Sequence, residues 1–188
     1  MSRPQTPRPL AGEPLAVDLL NTERLASGMP VDLLATTEQT RAWLTSAGAA
    51  DALVPGMREA LVRGRQAIRD FVSEEGGPAA AGRLNSVLGH GRLRLSVSPA
   101  GRPEQSLEVD DPAWRPAVMA AASLLELLAE APDRIRRCQH PACVLWFFDT
   151  SRNGTRRWCS MAGCGNRAKA RRHYERARSS GEQASAGP

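Results

Sequence analysis

The sequence lacks the features that take a chain into or across a membrane. No run of apolar residues approaches the roughly 18 that a membrane-spanning helix requires. Residues 1–9 are rich in proline and contain no apolar segment of the kind found in secretory signal peptides. We therefore expect a cytoplasmic protein that does not enter the membrane.

Patterns typical of common enzymes are also missing. The sequence shows no grouping of a nucleophile with a base and no glycine-rich phosphate loop. We therefore expect no enzymatic activity. An enclosed apolar pocket with convergent polar groups in residues 13–133 would revive an enzymatic or ligand-sensing role.

Lysine is nearly absent, since Lys169 is the only lysine among the 25 basic residues. The net charge of +5 is unevenly distributed, with −4 in residues 1–133, +10 in residues 134–178 and −1 in residues 179–188. An acidic body with a basic end is typical of a regulator whose terminal module binds a polyanion. Guanidinium groups suit bidentate contact with phosphate or guanine. A solvated basic tail is the alternative.

Several helix boundaries are visible in residues 13–133. Helices are predicted at residues 36–47, 55–75, 78–88 and 112–131. Thr36 and Gln39 form a capping box, and Asp111 followed by Pro112 is a typical helix start. The last helix is rich in alanine and leucine, which predicts that it is the central core helix. Leu61, Ile68 and Val72 are predicted to form the buried stripe of the second.

Two other segments of this region lack the spacing of apolar residues that is typical of a long helix. Alternating apolar residues at 93–97 and 107–109, separated by a Pro- and Gly-containing turn at 98–103, predict a β-hairpin. The apolar run at residues 15–22 fits either a strand or a first helical turn. We therefore predict a mainly helical domain with a small β-hairpin sheet for residues 13–133. Residues 1–12 and 179–188 are predicted to be disordered.

All four cysteines lie in the last third of the chain. Cys138, Cys143, Cys159 and Cys164 follow the spacing Cys-x4-Cys-x15-Cys-x4-Cys. Two close pairs separated by a loop match a tetrahedral Zn²⁺ site, and four thiolates leave no open position, so the metal would be structural. A disulfide framework is the alternative, and the missing signal peptide argues against it. His140 is an alternative ligand, although such a histidine is more often an outer or surface residue.

The residues around the cysteines predict a β-hairpin followed by a helix. Residues 144–148 have the pattern of a strand, Asn153-Gly154 of a hairpin turn, and 156–158 of the returning strand. The aromatic residues here fit a miniature core better than base stacking. Residues 167–178 predict a helix with a basic face that suits a DNA groove. The predicted nucleic-acid contacts are Arg156, Arg157, Arg167, Lys169, Arg171, Arg172 and Arg176.

The segment from Cys159 to Lys169 resembles the CGNR zinc-finger family, whose Cys-Gly-Asn-Arg string occurs here as Cys164-Gly165-Asn166-Arg167. The resemblance extends upstream through Cys138, Cys143, Phe147, Asp149, Ser151, Arg152, Asn153, Arg156, Arg157 and Trp158. In that family the finger follows an ABATE domain, described as a stress-induced transcription regulator, and residues 15–22 look like the opening of that domain. The resemblance implies a bacterial transcription regulator with zinc bound by the four cysteines.

The sequence therefore predicts an α+β protein. It divides into an arm (1–12), an ABATE-like domain (13–133), a CGNR-type finger (134–178) and a tail (179–188). The expected function is DNA binding, with the acidic domain either binding a small-molecule effector or forming a homodimer. An RNA-binding or protein-interaction zinc module is the alternative, since arginine stripes do not distinguish the two nucleic acids.

Overall fold

The computed structural model describes residues 8–10, 12–50, 52–74, 76–172, 174 and 175. The predicted tail at 179–188 lies outside the described residues, and so does most of the predicted arm at 1–12. Within that arm, Arg8 Nε donates to Asp18 Oδ1 at 2.9 Å. No helix in the described part of the chain is both long and apolar enough to cross a bilayer.

The first regular element is helix α1 (Leu15–Leu20), so the apolar run at 15–22 is a helical turn and not a strand. A hairpin follows, with strands β1 (Glu23–Ala26) and β2 (Met29–Asp32) paired antiparallel. The turn residues Ser27 and Gly28 have φ values of 51° and 80°, the left-handed conformation of a tight hairpin turn. Sequence analysis missed this hairpin because each strand has four residues and little alternation.

Four longer helices agree with the predicted boundaries. They are α2 (Thr37–Ala47), α3 (Met57–Ser73), α4 (Pro78–Leu88) and α5 (Arg115–Glu130). The predicted capping box is present, since Thr36 Oγ1 accepts from Gln39 N at 3.2 Å. Asp111 Oδ1 accepts from Ala113 N at 2.8 Å and begins a short 3₁₀ turn that leads into α5.

The core lies where α1, α3, α4 and α5 meet. Leu61 and Ile68 of α3 are fully buried as predicted, and Val72 is partly buried. Helices α3 and α5 cross closely, because a Cβ added at Gly64 would lie 3.0 Å from Ala117 Cβ. The small residues at this crossing let the two backbones approach.

A buried arginine joins the first hairpin to this core. Arg65 of α3 donates from Nη1 to Thr22 Oγ1 at 2.8 Å and to Asp32 Oδ1 at 2.6 Å. Its other nitrogen, Nη2, donates to Asp32 Oδ2 at 2.9 Å, which makes the contact bidentate. Burial alone would raise the pKa of Asp32, but the hydrogen bonds from Arg65 and Leu34 N hold it below its ordinary value.

The predicted second hairpin is confirmed. Strands β3 (Gly91–Val97) and β4 (Pro103–Val109) pair antiparallel, with Leu93 opposite Leu107. At the base of this hairpin a Cβ at Gly91 would lie 2.5 Å from Val118 Cγ1 of α5, so only glycine allows this approach.

The last strands join the body to the C-terminal region. Strand β5 (Ile135–Arg137) pairs antiparallel with β6 (Trp146–Phe148). On the other edge of β6, Asn21 Nδ2 donates to Trp146 O at 2.9 Å and Trp146 N donates to Asn21 Oδ1 at 2.8 Å. Phe148 N donates to Glu13 Oε2 at 2.9 Å. Two side chains of the body therefore occupy the place of a neighbouring strand.

Replacing Asn21 with alanine is expected to destabilise the protein by about 1–3 kcal/mol, because two partly buried backbone groups of Trp146 lose their partners. Urea unfolding would measure the difference in free energy. Asn85→Ala, at an exposed position on α4, is the matched control and should change stability by less than about 0.5 kcal/mol. Equal effects of the two substitutions would contradict the role of Asn21.

The Glu13 contact predicts a pH effect. Burial raises the pKa of Glu13 above its ordinary 4.5, against opposing effects of the Phe148 amide and Arg156. The folded protein therefore holds this proton more tightly than the unfolded chain. The stabilisation from Glu13 is full below the unfolded pKa and is lost as the pH rises through the folded pKa.

Glu13→Gln keeps an acceptor for Phe148 N and removes the titration. We expect the stability of this variant relative to the wild type to increase as the pH is raised from 4.5 to 7, measured by urea unfolding. Glu126→Gln, at an exposed position on α5, is the control. A stability difference between Glu13→Gln and the wild type that does not change with pH would show that burial does not raise the pKa of Glu13.

Candidate metal centre and its basic surroundings

The first cysteine pair lies in the loop between β5 and β6. Cys138 N donates to Leu145 O at 2.9 Å, and Cys143 N donates to His140 O at 2.9 Å, which closes a tight turn around the pair. Ala142 N donates to His140 Nδ1 at 3.2 Å, so this ring nitrogen already has a backbone partner. The metal-binding group found among the described residues contains the four cysteines and not His140.

The second pair brackets the start of the terminal helix. Ser160 Oγ accepts from Gly163 N at 2.9 Å and caps a π-helical turn, Met161–Gly165. This turn continues into an α-helix at residues 166–172, with 174 and 175 also helical. A Cβ at Gly165 would lie 2.8 Å from Met161 Sδ and 3.4 Å from Trp158 Cδ1. Met161 is exposed and its side chain can move, so a larger residue here would mainly displace that side chain and approach the Trp158 ring.

The four Sγ atoms form a compact cluster in which all lie within 4.8 Å of one another. The distance from Cys143 Sγ to Cys159 Sγ is 3.8 Å, and that from Cys159 Sγ to Cys164 Sγ is 3.6 Å. Metal–sulfur bonds of about 2.3 Å in a tetrahedron place the sulfurs about 3.8 Å apart. Cys138, Cys159 and Cys164 are buried, and Phe147 packs against them. The four side chains therefore fit a closed tetrahedral metal site.

The protonation of the thiols agrees with this fit. Hydrogen bonding to Cys159 lowers the pKa of the Cys143 thiol to about 5. The same hydrogen bond, together with burial, raises the pKa of the Cys159 thiol, and burial raises that of Cys138. The thiols thus compete for negative charge, and a cation that binds all four as thiolates relieves this competition.

Two donors outside the cluster favour thiolate character. Cys159 N donates to Cys138 Sγ at 3.4 Å. Arg167 Nη2 donates to Cys164 Sγ at 3.0 Å, and this contact raises the pKa of the arginine. Donors of this kind orient metal-bound ligands and stabilise their charge.

Family models match nearly the whole described chain. The model described as "Putative stress-induced transcription regulator" (ABATE) matches residues 13–131. The chain belongs to the ABATE family. The CGNR zinc-finger model matches residues 134–177 of this ABATE protein, in the order that the sequence resemblance implied. No curated protein gives a significant match to the chain.

The hairpin predicted within the finger of this ABATE protein is different in detail. A β-hairpin followed by a helix is present, but the partner of β6 is β5, and residues 155–157 have no regular structure. The prediction that residues 156–158 form the returning strand was wrong. The loop before these residues is held by hydrogen bonds other than those of a strand ladder. Asn153-Gly154 forms a turn within that loop.

The carboxylate of Asp149 organises this loop. It is fully buried and accepts from Ser151 N at 2.9 Å, Ser151 Oγ at 2.6 Å and Arg156 N at 2.9 Å. Burial alone would raise the pKa of Asp149, but these hydrogen bonds and the charge of Arg136 hold it below its ordinary value. Arg134 Nη1 donates to Asp149 O at 2.9 Å from the other side. The amide of Arg156 is therefore not available to a strand ladder.

The predicted nucleic-acid contacts have two kinds of environment. The guanidinium of Arg156 faces inward, where Nε donates to Trp158 O at 2.9 Å, Nη2 donates to Cys159 O, and the group lies 4.5 Å from the centre of the Phe147 ring. Arg167 contacts Cys164, as described above. These two side chains support the metal centre directly.

The other described contacts are exposed, as is Arg167, and they lie away from the cysteine sulfurs or bond to other side chains. Arg157 Nε donates to Gln139 Oε1 at 2.6 Å, and Arg171 Nε donates to Glu175 Oε1 at 2.6 Å. Lys169 and Arg172 are exposed on the terminal helix. Arg176 lies outside the described residues.

Sequence reasoning did not identify the residues that join the finger to the body. Asn21 and Glu13 of the body bind β6 of the finger. The sequence offers one indication of these contacts, because Asp18, Asn21 and Thr22 lie within and just after an apolar run. Polar residues in a buried segment need hydrogen-bond partners.

Replacing Cys143 with serine is expected to reduce the bound metal from one ion per chain to a small fraction of that, because the fourth thiolate is lost. Mass spectrometry of the native protein would measure the stoichiometry. Met161→Leu changes an exposed sulfur beside the same site and should retain one ion. Equal metal contents in the two variants would exclude Cys143 as a ligand.

Proposed function

We propose that this ABATE protein is a DNA-binding transcription regulator of bacteria whose finger uses structural Zn²⁺ to hold a basic helix against the target. The observation that carries the proposal is the exposed cationic start of the terminal helix directly after the last cysteine. Lys169 and Arg172 lie three residues apart and share one exposed face of that helix. A helix fixed at one end by a metal centre is a common element for contacting phosphates or entering a groove.

The different contacts of the candidate arginines support different roles for them in this proposal. Arg156 and Arg167, which contact the metal centre, are assigned a positioning role. Lys169, Arg172 and the exposed Arg157 are assigned to phosphate contact. The Arg171–Glu175 pair is exposed, and exposed pairs of this kind are weak. Arg171 can therefore exchange Glu175 for a phosphate at little cost.

Zinc and a reducing compartment are parts of the same proposal. Four thiolates in a tetrahedron suit Zn²⁺ and leave no position for water, so we assign the metal no catalytic role and the chain no enzymatic activity. Free thiols persist in the cytoplasm, where the chromosome of a bacterium also lies. The acidic body would carry the response to stress, through a small-molecule effector or through dimerisation.

Salt dependence tests the proposed DNA contacts. The dissociation constant for a labelled DNA duplex would be measured by fluorescence anisotropy over a series of salt concentrations. For the Lys169→Ala/Arg172→Ala variant we expect weaker binding to every duplex, and a salt slope smaller by about 2, since two phosphate contacts are lost. Arg41→Ala/Arg63→Ala removes two exposed arginines from the body and is the control, with an unchanged slope.

Four results would overturn the proposal. Absence of DNA affinity at low salt, or affinity that does not depend on salt, would exclude phosphate-driven binding. Stronger competition by duplex RNA than by DNA would favour the RNA-binding alternative. An equal change of slope in the helix variant and the control would remove the terminal helix from the interface.

A further inference from the structure

The β3–β4 hairpin exposes an unusual amount of apolar surface. The exposed fractions of Leu93, Leu95 and Val97 are 63%, 69% and 71%. All three lie on the same face of β3, because side chains alternate along a strand. Pro103 and Leu107 lie opposite Val97 and Leu93 on β4 and extend this face across both strands, and the uncharged but polar Gln105 lies opposite Leu95 on the same face. We call the surface formed by these six residues the hairpin face.

The opposite face of the hairpin is polar. Arg92 lies opposite Glu108, and Ser96 opposite Glu104, in the antiparallel register. Arg94 Nη1 contacts Glu108 Oε1 at 3.1 Å. The two arginines and two glutamates of β3 and β4 give this hairpin no net charge. A hairpin with one apolar and one charged face normally packs its apolar face against another layer.

The body covers only the start of the hairpin face. Gly91 lies on the same side of β3 as Leu93 and packs against Val118 of α5, and Arg115 Nη1 donates to Leu107 O at 2.8 Å. Beyond this base the face continues outward into solvent. A two-stranded hairpin alone is marginally stable in water, so a partner that covers the exposed part of this face would stabilise the strands further.

We propose that the hairpin face binds the hairpin face of a second copy of this chain, forming a two-fold symmetric dimer. The face contains no charged side chain, so two identical copies can meet without burying a charge or opposing like charges. The balanced arginines and glutamates remain on the outer faces, where they stay hydrated. Charged partners such as nucleic acid find no complementary group on this face.

The strand register of the hairpin indicates how two copies would pack. In an antiparallel stack, Leu95, midway along β3, lies close to the two-fold axis, and the Val97 end of each hairpin covers the Leu93 end of the other. Each face offers a patch on the order of a few hundred Å². Two such patches bury an area at or below the low end of specific interfaces, so we expect a weak, reversible dimer.

Sedimentation equilibrium of the full metal-bound chain tests the dimer. We expect the mass to rise with concentration from that of one 20.3 kDa chain towards twice that value. Leu95→Arg should raise the dimer dissociation constant by about a hundredfold or more, since each dimer would bury two unpaired guanidinium groups. Ser96→Arg adds the same charge one residue further along, on the opposite face, and should leave the dissociation constant nearly unchanged.

The results of these measurements test whether the dimer forms through the hairpin face. A wild-type chain that stays monomeric at high micromolar concentration, or equal effects of Leu95→Arg and Ser96→Arg, would overturn the proposal. Residue 95 is exposed in the monomer, so circular dichroism and metal content should match the wild type and show that Leu95→Arg is folded. The dimer does not depend on DNA, because it is measured in the absence of nucleic acid, and DNA binding can fail without affecting this result.

Discussion

Strand β6 has three residues, and the alternation of their side chains connects the two parts of the protein. Phe147 points to the cysteine cluster, while Trp146 and Phe148 pack on the body. Both edges of the strand are also occupied, one by β5 and the other by Asn21 and Glu13. A structural change on one side of this strand therefore affects the packing on its other side. The strand cannot rotate or slip by one residue without exposing side chains that are now buried.

The basic charge of the finger has two separate uses. Arg156 and Arg167 donate hydrogen bonds to the backbone and sulfur of the metal centre, where the planar guanidinium satisfies several acceptors at once. Lys169 and Arg172 remain in solvent on the helix that the same centre anchors. The net charge of the finger does not distinguish these two groups of basic residues. The contacts of each basic side chain do.

The sequence predicted elements whose determinants are local. The cap at Thr36, the Asp111-Pro112 start and the cysteine spacing are each determined by a few neighbouring residues, and the structure agrees with them. The errors concern pairings that no local pattern decides. The neighbour of β6 was assigned to residues 156–158 because a hairpin turn lay nearby, whereas the buried Asp149 binds the amide of Arg156 and β5 takes the ladder position. No local pattern could reveal that Asn21 binds Trp146, 125 residues away.

That long separation has a consequence for synthesis on the ribosome. Asn21 and Glu13 emerge early, and most of the helical body can fold while residues beyond 134 are still within or near the exit tunnel. Strand β6 then emerges opposite a surface that already holds its hydrogen-bonding partners. Much of the entropy cost of closing a loop of more than a hundred residues has by then been met by the folding of the body. All four cysteines emerge after the body, so the acceptor surface can fold before the finger binds metal.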